Sequence, residues 1–335
     1  MAFPLGLSLS IGAYIARKKL QGRKRFPLVL MLEPTFRCNL TCAGCGRIRE
    51  DRAIGSRMLS VEECLAAVEE AGAPVVSIAG GEPLLHPRIA DIVEGILARK
   101  RFVYLCTNGI ALQKSLGLFR PNPRFSFVFH LDGMAATHDR IVERTGVFDT
   151  AIAGIKAAKQ AGFQVRTNTT FYKGSDPSEM VELFDLLMRL GVDGMMVAPA
   201  FSYQVVDASI FLSREEAKSF FQPIYEQRRR FPFHHSPIYL EFLAGRRNLK
   251  CAPWSTPTRN PKGWKKPCYL LTDGYWDSFE QLMQETPWEK YGVGNDPRCA
   301  NCMVHSGFEV SAVEAVGKSL PDLLRAASWA LMGAG

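Results

Sequence analysis

Cys38, Cys42 and Cys45 fall within eight residues, in FRCNLTCAGC, at spacings of four and three. Thiolates are the usual ligands of iron–sulfur clusters, and a cubane cluster normally takes four of them. Three thiols on one short loop can hold three corners and leave the fourth iron without a protein ligand. That corner is then open to a small molecule, by the logic that gives catalytic zinc a vacant position. The same residues suit a zinc knuckle with a borrowed fourth ligand, or a redox-active C-x-x-C made by Cys42 and Cys45. A second group, Cys251, Cys268, Cys299 and Cys302, ends in another C-x-x-C with His305 close behind. Four thiols could fill every corner of a structural or electron-relay cluster, or hold zinc, with His305 able to replace one of them.

Nine cysteines in 335 residues are many, the number is odd, and no secretory signal precedes them. Reduced thiols serving metal or redox chemistry fit this usage better than a disulfide framework. With 47% hydrophobic and 22% charged residues the chain can bury a sizeable core. The net charge of +8 is concentrated, since Arg17 to Arg25 hold six basic residues and no acid. Before them Phe3 to Ala16 carry no charge, an order opposite to that of a signal peptide and a length too short for a bilayer. Two readings remain for this segment. It could lie at a membrane surface with its cations on anionic headgroups, or pack across the domain with a solvated basic end. The C-terminal LPDLLRAASWALMGAG could share either role. No nucleic-acid module accompanies the basic stripe, so no nucleic-acid partner is expected.

The elements that must position the first cysteines begin at Phe26. Runs at 27–34, 75–80, 102–109, 125–133, 163–171 and 194–200 read as strands. Helical periodicity separates them, opening with Ser60 and Glu63 as a capping box and Gly72 as a stop. Six strand–helix alternations with short loops predict parallel strands joined by right-handed crossovers. Polar or glycine-containing turns follow the strands, at Arg37–Cys45, Gly80–Pro83, Thr107–Gly109, Asp132–Gly133 and Asn168–Thr170. Barrel enzymes build their sites at such strand ends. Six repeats rather than eight predict an α/β, open, partial TIM-like barrel; a doubly wound sheet is the alternative. The pattern breaks near Phe231 to Pro237, which divides the chain into 1–26, a barrel over 27–235, and a cysteine- and aromatic-rich extension over 236–335.

The CNLTCAGC loop, the GGEP turn and a partial barrel together resemble the radical S-adenosylmethionine enzymes. The resemblance implies a 4Fe-4S cluster on Cys38, Cys42 and Cys45, with S-adenosylmethionine chelating the open iron. It implies that Gly80, Gly81, Glu82 and Pro83 hold the methionine amino group, where glycines let backbone approach closely. By the same resemblance Asn108, His130, Asp132 and Asn168 are candidates for the ribose and carboxylate, and Ala198 and Pro199 for the adenine wall.

Over nearly its whole length the chain further resembles the adenosylhopane synthases of hopanoid biosynthesis. The stretches include KRFPLVLMLEPTFRCNLTCAGCGRI, VSIAGGEPLLHP, GVDGMMVAP, NPKGWKKPCYLL and CANCMVHSGFE. The implied reaction adds the 5′-deoxyadenosyl radical to the alkene of diploptene, a membrane triterpene, consuming S-adenosylmethionine as a co-substrate. A small flavodoxin or ferredoxin is the implied electron donor. A membrane-borne substrate favours the lipid-surface reading of the N-terminus and a cytoplasmic, peripheral location. Addition leaves a carbon radical that must gain hydrogen, and a thiol is a good donor. Cys106, two residues before Asn108, is the candidate, though a free cysteine is also a common core filler. Phe201, Tyr203, Phe211, Phe220, Phe221, Trp254, Trp264 and Trp276 are either core or the walls of a pocket for a flat hydrocarbon.

Overall fold

A computed structural model describes residues 5–46 and 57–332. Phe3 and Pro4 of the uncharged run, Arg47 and Ile48 after the cysteine loop, and Gly333–Gly335 lie outside the described residues. Helix α1 (Leu5–Leu20) precedes six strand–helix units. The strands are β1 (Val29–Leu32), β2 (Val75–Ile78), β3 (Phe102–Thr107), β4 (Phe125–His130), β5 (Gln164–Phe171) and β6 (Gly194–Pro199). All six are parallel and lie side by side in chain order. The crossovers carry α2 (Val61–Ala71), α3 (Ile89–Ala98), the short α4 (Leu112–Ser115), α5 (Ala135–Ile141), α6 (Val147–Gln160) and α7 (Pro177–Arg189). α2 starts and stops where the sequence directs: Ser60 and Glu63 close a capping box, and Gly72 ends it in the left-handed region.

Strand side chains alternate between two faces. Leu30, Val76, Leu105, Phe127, Val165 and Val197 face the helices and join their apolar stripes in one core. Each such side chain stabilises the fold by about 1.5–3 kcal/mol on burial. The alternate positions, Met31, Ser77, Cys106, His130, Asn168 and Met196, fall outside that helix-packed core, on the inner face of the curved sheet. Below Cys106 the lumen is filled by Tyr104, whose hydroxyl meets His234 Nε2 at 2.8 Å, and by Arg166 lying 5.1 Å over its ring. The inner face is therefore polar at its C-terminal end and packed below.

After β6 come α8 (Arg214–Glu226) and α9 (Pro237–Leu243), and the sheet then gains three strands that the sequence pattern did not show. β7 (Thr258–Asn260) pairs in parallel with β1, and β8 (Gly263–Pro267) and β9 (Thr272–Trp276) continue antiparallel. β7 is only Thr-Arg-Asn, too short and polar to show a strand period, and the pairing rather than the side chains defines it. The sheet stays open, with β6 and β9 at its edges. α10 (Phe279–Glu285), α11 (His305–Val316) and α12 (Leu320–Met332) complete the chain.

The apolar face of α1 is not free to enter lipid. Leu7 packs against Val75 and Phe102 at the strand starts, and Tyr14 against Phe26, Leu28 and Val310. Its cations remain in solvent, as in the domain-packing reading. The predicted wall of aromatics is dispersed: Phe220 and Phe221 pack on Phe171, and Trp264 is buried under Phe279.

Candidate active site

The cysteine loop leaves β1 at the C-terminal edge of the sheet. Its backbone is held from below by the GGEP turn, with Gly81 N donating to Thr35 O at 2.9 Å and Glu82 N to Arg37 O at 2.8 Å. This approach requires the two glycines. Gly80 has φ +106°, and a Cβ there would sit 2.5 Å from Thr35 O; one on Gly81 would sit 2.1 Å from Arg37 O. From the other side Ala43 N donates to Ile141 O at 2.8 Å, and Leu40 packs with Val142 and Val147. Asn39, between the first two cysteines, accepts from Asn108 Nδ2 at 2.8 Å, which ties the loop to the end of β3.

Glu82 is buried and both its oxygens are engaged. Oε1 accepts from Leu84 N and Thr107 Oγ1, and Oε2 from Asn108 N, at 2.8–3.1 Å. Burial raises its pKa to about 7 against the pull of these three donors. Glu82 thus clamps β2 to β3. At the end of β4, His130 Nε2 lies 2.7 Å from Asp132 Oδ2, while Asp132 Oδ1 accepts from Thr170 N. Burial works against the imidazolium, yet the Asp132 charge and hydrogen bond outweigh it and raise the pKa of His130. Asn168 stands beside His130 across β4 and β5, and its Oδ1 is buried with no partner among the described residues. Ala198 and Pro199 are buried at the end of β6.

Burial raises Cys38 to about 11 and pushes Cys42 up as well, with Cys45 adding repulsion in both. Gathered thiols that resist ionisation unless a cation joins them are the ligand chemistry an iron cluster needs, and loading releases their protons. A buried acceptor on Asn168 and a glycine-lined turn beside them suit an amino-acid and ribose moiety. The residues fit both groups. Sequence reasoning missed the roles of Asn39, Thr107 and Tyr172, and offered Tyr203 only as core or a pocket wall. Tyr172 lies against Gly44 and Tyr203 against Gly46, each where a Cβ would stand within 2.4 Å of its ring. The glycines flanking Cys45 were the available signal.

A family model described as the radical SAM superfamily matches residues 32–187. Those residues belong to the radical SAM superfamily. A second model, a domain of unknown function (DUF3463), matches residues 195–326. The subtilosin biosynthesis protein AlbA of Bacillus subtilis is 27% identical over 84% of this chain and 66% of its own length. The AdoMet-dependent heme synthase of Methanosarcina barkeri is 31% identical over 49% of this chain and 48% of its own. The chain thus spans about half to two thirds of these relatives. Streptococcus suis SuiB bound to its precursor peptide SuiA superposes with a TM-score of 0.65 at 15% identity, covering 92% of this chain and 76% of that one. Residues 32–187 thus carry a radical SAM domain on an open parallel α/β sheet, a domain whose chemistry uses a 4Fe-4S cluster with S-adenosylmethionine as co-substrate. A cluster held by Cys38, Cys42 and Cys45 would supply one electron to the sulfonium of the co-substrate.

Proposed function

We propose that this enzyme adds the adenosyl group of S-adenosylmethionine to the exocyclic alkene of diploptene, giving adenosylhopane. The observation that carries the reading is Cys106. Its thiol faces the lumen one strand away from Glu82, with Val128 beside it in register and Ser77 Oγ 3.6 Å from its sulfur. Burial, the largest cause, pushes its pKa up to about 11, so at neutral pH it keeps the S–H bond that hydrogen-atom donation requires. After addition, the tertiary carbon forms a C–H bond, the Cys106 S–H bond breaks, and a thiyl radical remains. One electron from a flavodoxin- or ferredoxin-type donor and one proton restore the thiol.

The His130–Asp132 pair and Asn168, at the rim of the same lumen, orient the nucleoside and carboxylate in this reading. Anaerobic incubation with S-adenosylmethionine, reductant and diploptene, read by product mass, tests it. Adenosylhopane supports it, and Cys106→Ala then gives less saturated product at unchanged cleavage of S-adenosylmethionine. A second reading rests on relatives whose names include a bacteriocin biosynthesis protein and an enzyme crystallised with a peptide: abstraction of hydrogen from a peptide. It gives 5′-deoxyadenosine and no adduct with diploptene.

A further inference from the structure

The last helix of the chain is packed inside out. On α12, Leu320, Leu323, Leu324 and Ala327 recur at the spacing of one helix face, and that face points to solvent. The three leucines are 68%, 50% and 62% exposed. The opposite face carries the acid: Asp322 is buried, and its two oxygens accept from Arg247 Nη1 and Nη2, both at 2.8 Å. Trp329, further along the same inward face, packs against the core. A surface helix of a globular protein normally turns its apolar stripe inward and its charge outward. Here a bidentate ion pair fixes the reverse arrangement and leaves the leucines for something outside the chain.

Helix α1 adjoins it. Lys19 Nζ lies 3.9 Å from where a side chain on Gly317, in the link between α11 and α12, would begin, and Tyr14 packs with Val310 of α11. Leu7, Ile11 and Tyr14 form the inward stripe of α1, the one closed to lipid. Leu9, Ala13, Ala16 and Leu20 fall on the other side by helical spacing, and all four are exposed. Arg17 and Lys19 flank this outward stripe. Arg23, Lys24 and Arg25 follow it, also exposed, and no acid interrupts the run from Arg17 to Arg25.

We propose that these two outward faces dock on an anionic bilayer, with the leucines of α12 and α1 at the acyl boundary and the cations of 17–25 on the lipid headgroups. Leucines set beside lysine and arginine suit a helix lying in a membrane interface, where apolar contact and headgroup attraction act together. α12 has 13 residues, short of the about 20 needed to span the hydrocarbon, so it lies along the surface. A second copy of the chain would not complement this face, because it would bring the same cations together. An acidic surface does complement it, and the net charge of +8 adds a longer-range attraction that salt screens. The proposal stands whether the substrate is a lipid or a peptide.

Sedimentation of the full-length protein with vesicles tests it. Vesicles of phosphatidylglycerol and phosphatidylcholine should carry down at least about tenfold more protein than phosphatidylcholine alone, and salt at about 1 M should reverse most of that gain. Leu320→Gln, Leu323→Gln and Leu324→Gln together should lower binding to the mixed vesicles at least about tenfold. Arg23→Gln with Lys24→Gln, at exposed positions outside any helix, should weaken it at least about fivefold. Both variants should form 5′-deoxyadenosine as wild type does, which shows that they fold. Without lipid, the leucine variant and wild type should have the same oligomeric state. Three outcomes overturn the proposal: no preference of wild type for the anionic vesicles, undiminished binding by either variant, or a wild-type dimer that the leucine variant converts to monomer.

Discussion

The two groups of cysteines are brought together by opposite routes. Cys38, Cys42 and Cys45 share one loop, so local chain geometry brings them together and the GGEP turn only steadies them. Cys251, Cys268, Cys299 and Cys302 span some fifty residues of chain and are gathered by a hairpin, a turn and a helix start. The first group has three thiols and Asn168 with an unfilled acceptor nearby; the second has four thiols walled by aromatic and apolar groups.

The largest expected difference is in activity. Cys42→Ala should reduce 5′-deoxyadenosine formation under dithionite to background, whereas Cys299→Ser should leave it measurable; equal loss in both would erase the distinction. Next come the two glycines under the sulfur loops. Gly81→Ala places a methyl 2.1 Å from a backbone carbonyl, which cannot move alone, while Gly307→Ala meets a side-chain sulfur at 2.7 Å. Overpacking of this kind costs about 1–3 kcal/mol. Gly81→Ala should weaken S-adenosylmethionine binding at least about tenfold in a titration, and Gly307→Ala should leave that binding unchanged. Thr107→Val removes a donor from buried Glu82 and should cost about 1–3 kcal/mol in a thermal or urea melt.

The smallest effect is in pH dependence. Burial lowers His138, beside the first loop, to about 4, and His305, beside the second group, to about 3. Each binds a proton more readily when unfolded, so its contribution is present above about pH 6.5 and is lost as pH falls toward the folded value. Glu82, raised to about 7, acts in the opposite sense between about pH 7 and 4.5. Urea midpoints at pH 7 and pH 5 should therefore converge in His138→Gln and in His305→Gln. A midpoint difference unchanged from wild type would show that neither imidazole is buried neutral.

Much of the first site was legible because its signals are short-range. Three thiols at fixed spacing, two glycines before a carboxylate, and polar residues after apolar runs all act through neighbours in the chain. The partners that complete it were not legible. Nothing near Thr107 or Asn39 in sequence shows that one meets Glu82 and the other Asn108, since those contacts join different strands. Tyr203 lies more than 150 residues from Gly46, yet its ring covers that glycine.

The sequence by itself determined the cysteine trio, the six-unit alternation of strand and helix, and the thiol at position 106, because each follows from local spacing and side-chain period. Tertiary structure alone decided that Thr258–Asn260 would extend the sheet beside β1, that α1 would turn its apolar face inward, and that four distant sulfurs would share one chamber. Those outcomes depend on which surfaces the folded chain leaves uncovered, and that is set by pairing between segments far apart in sequence.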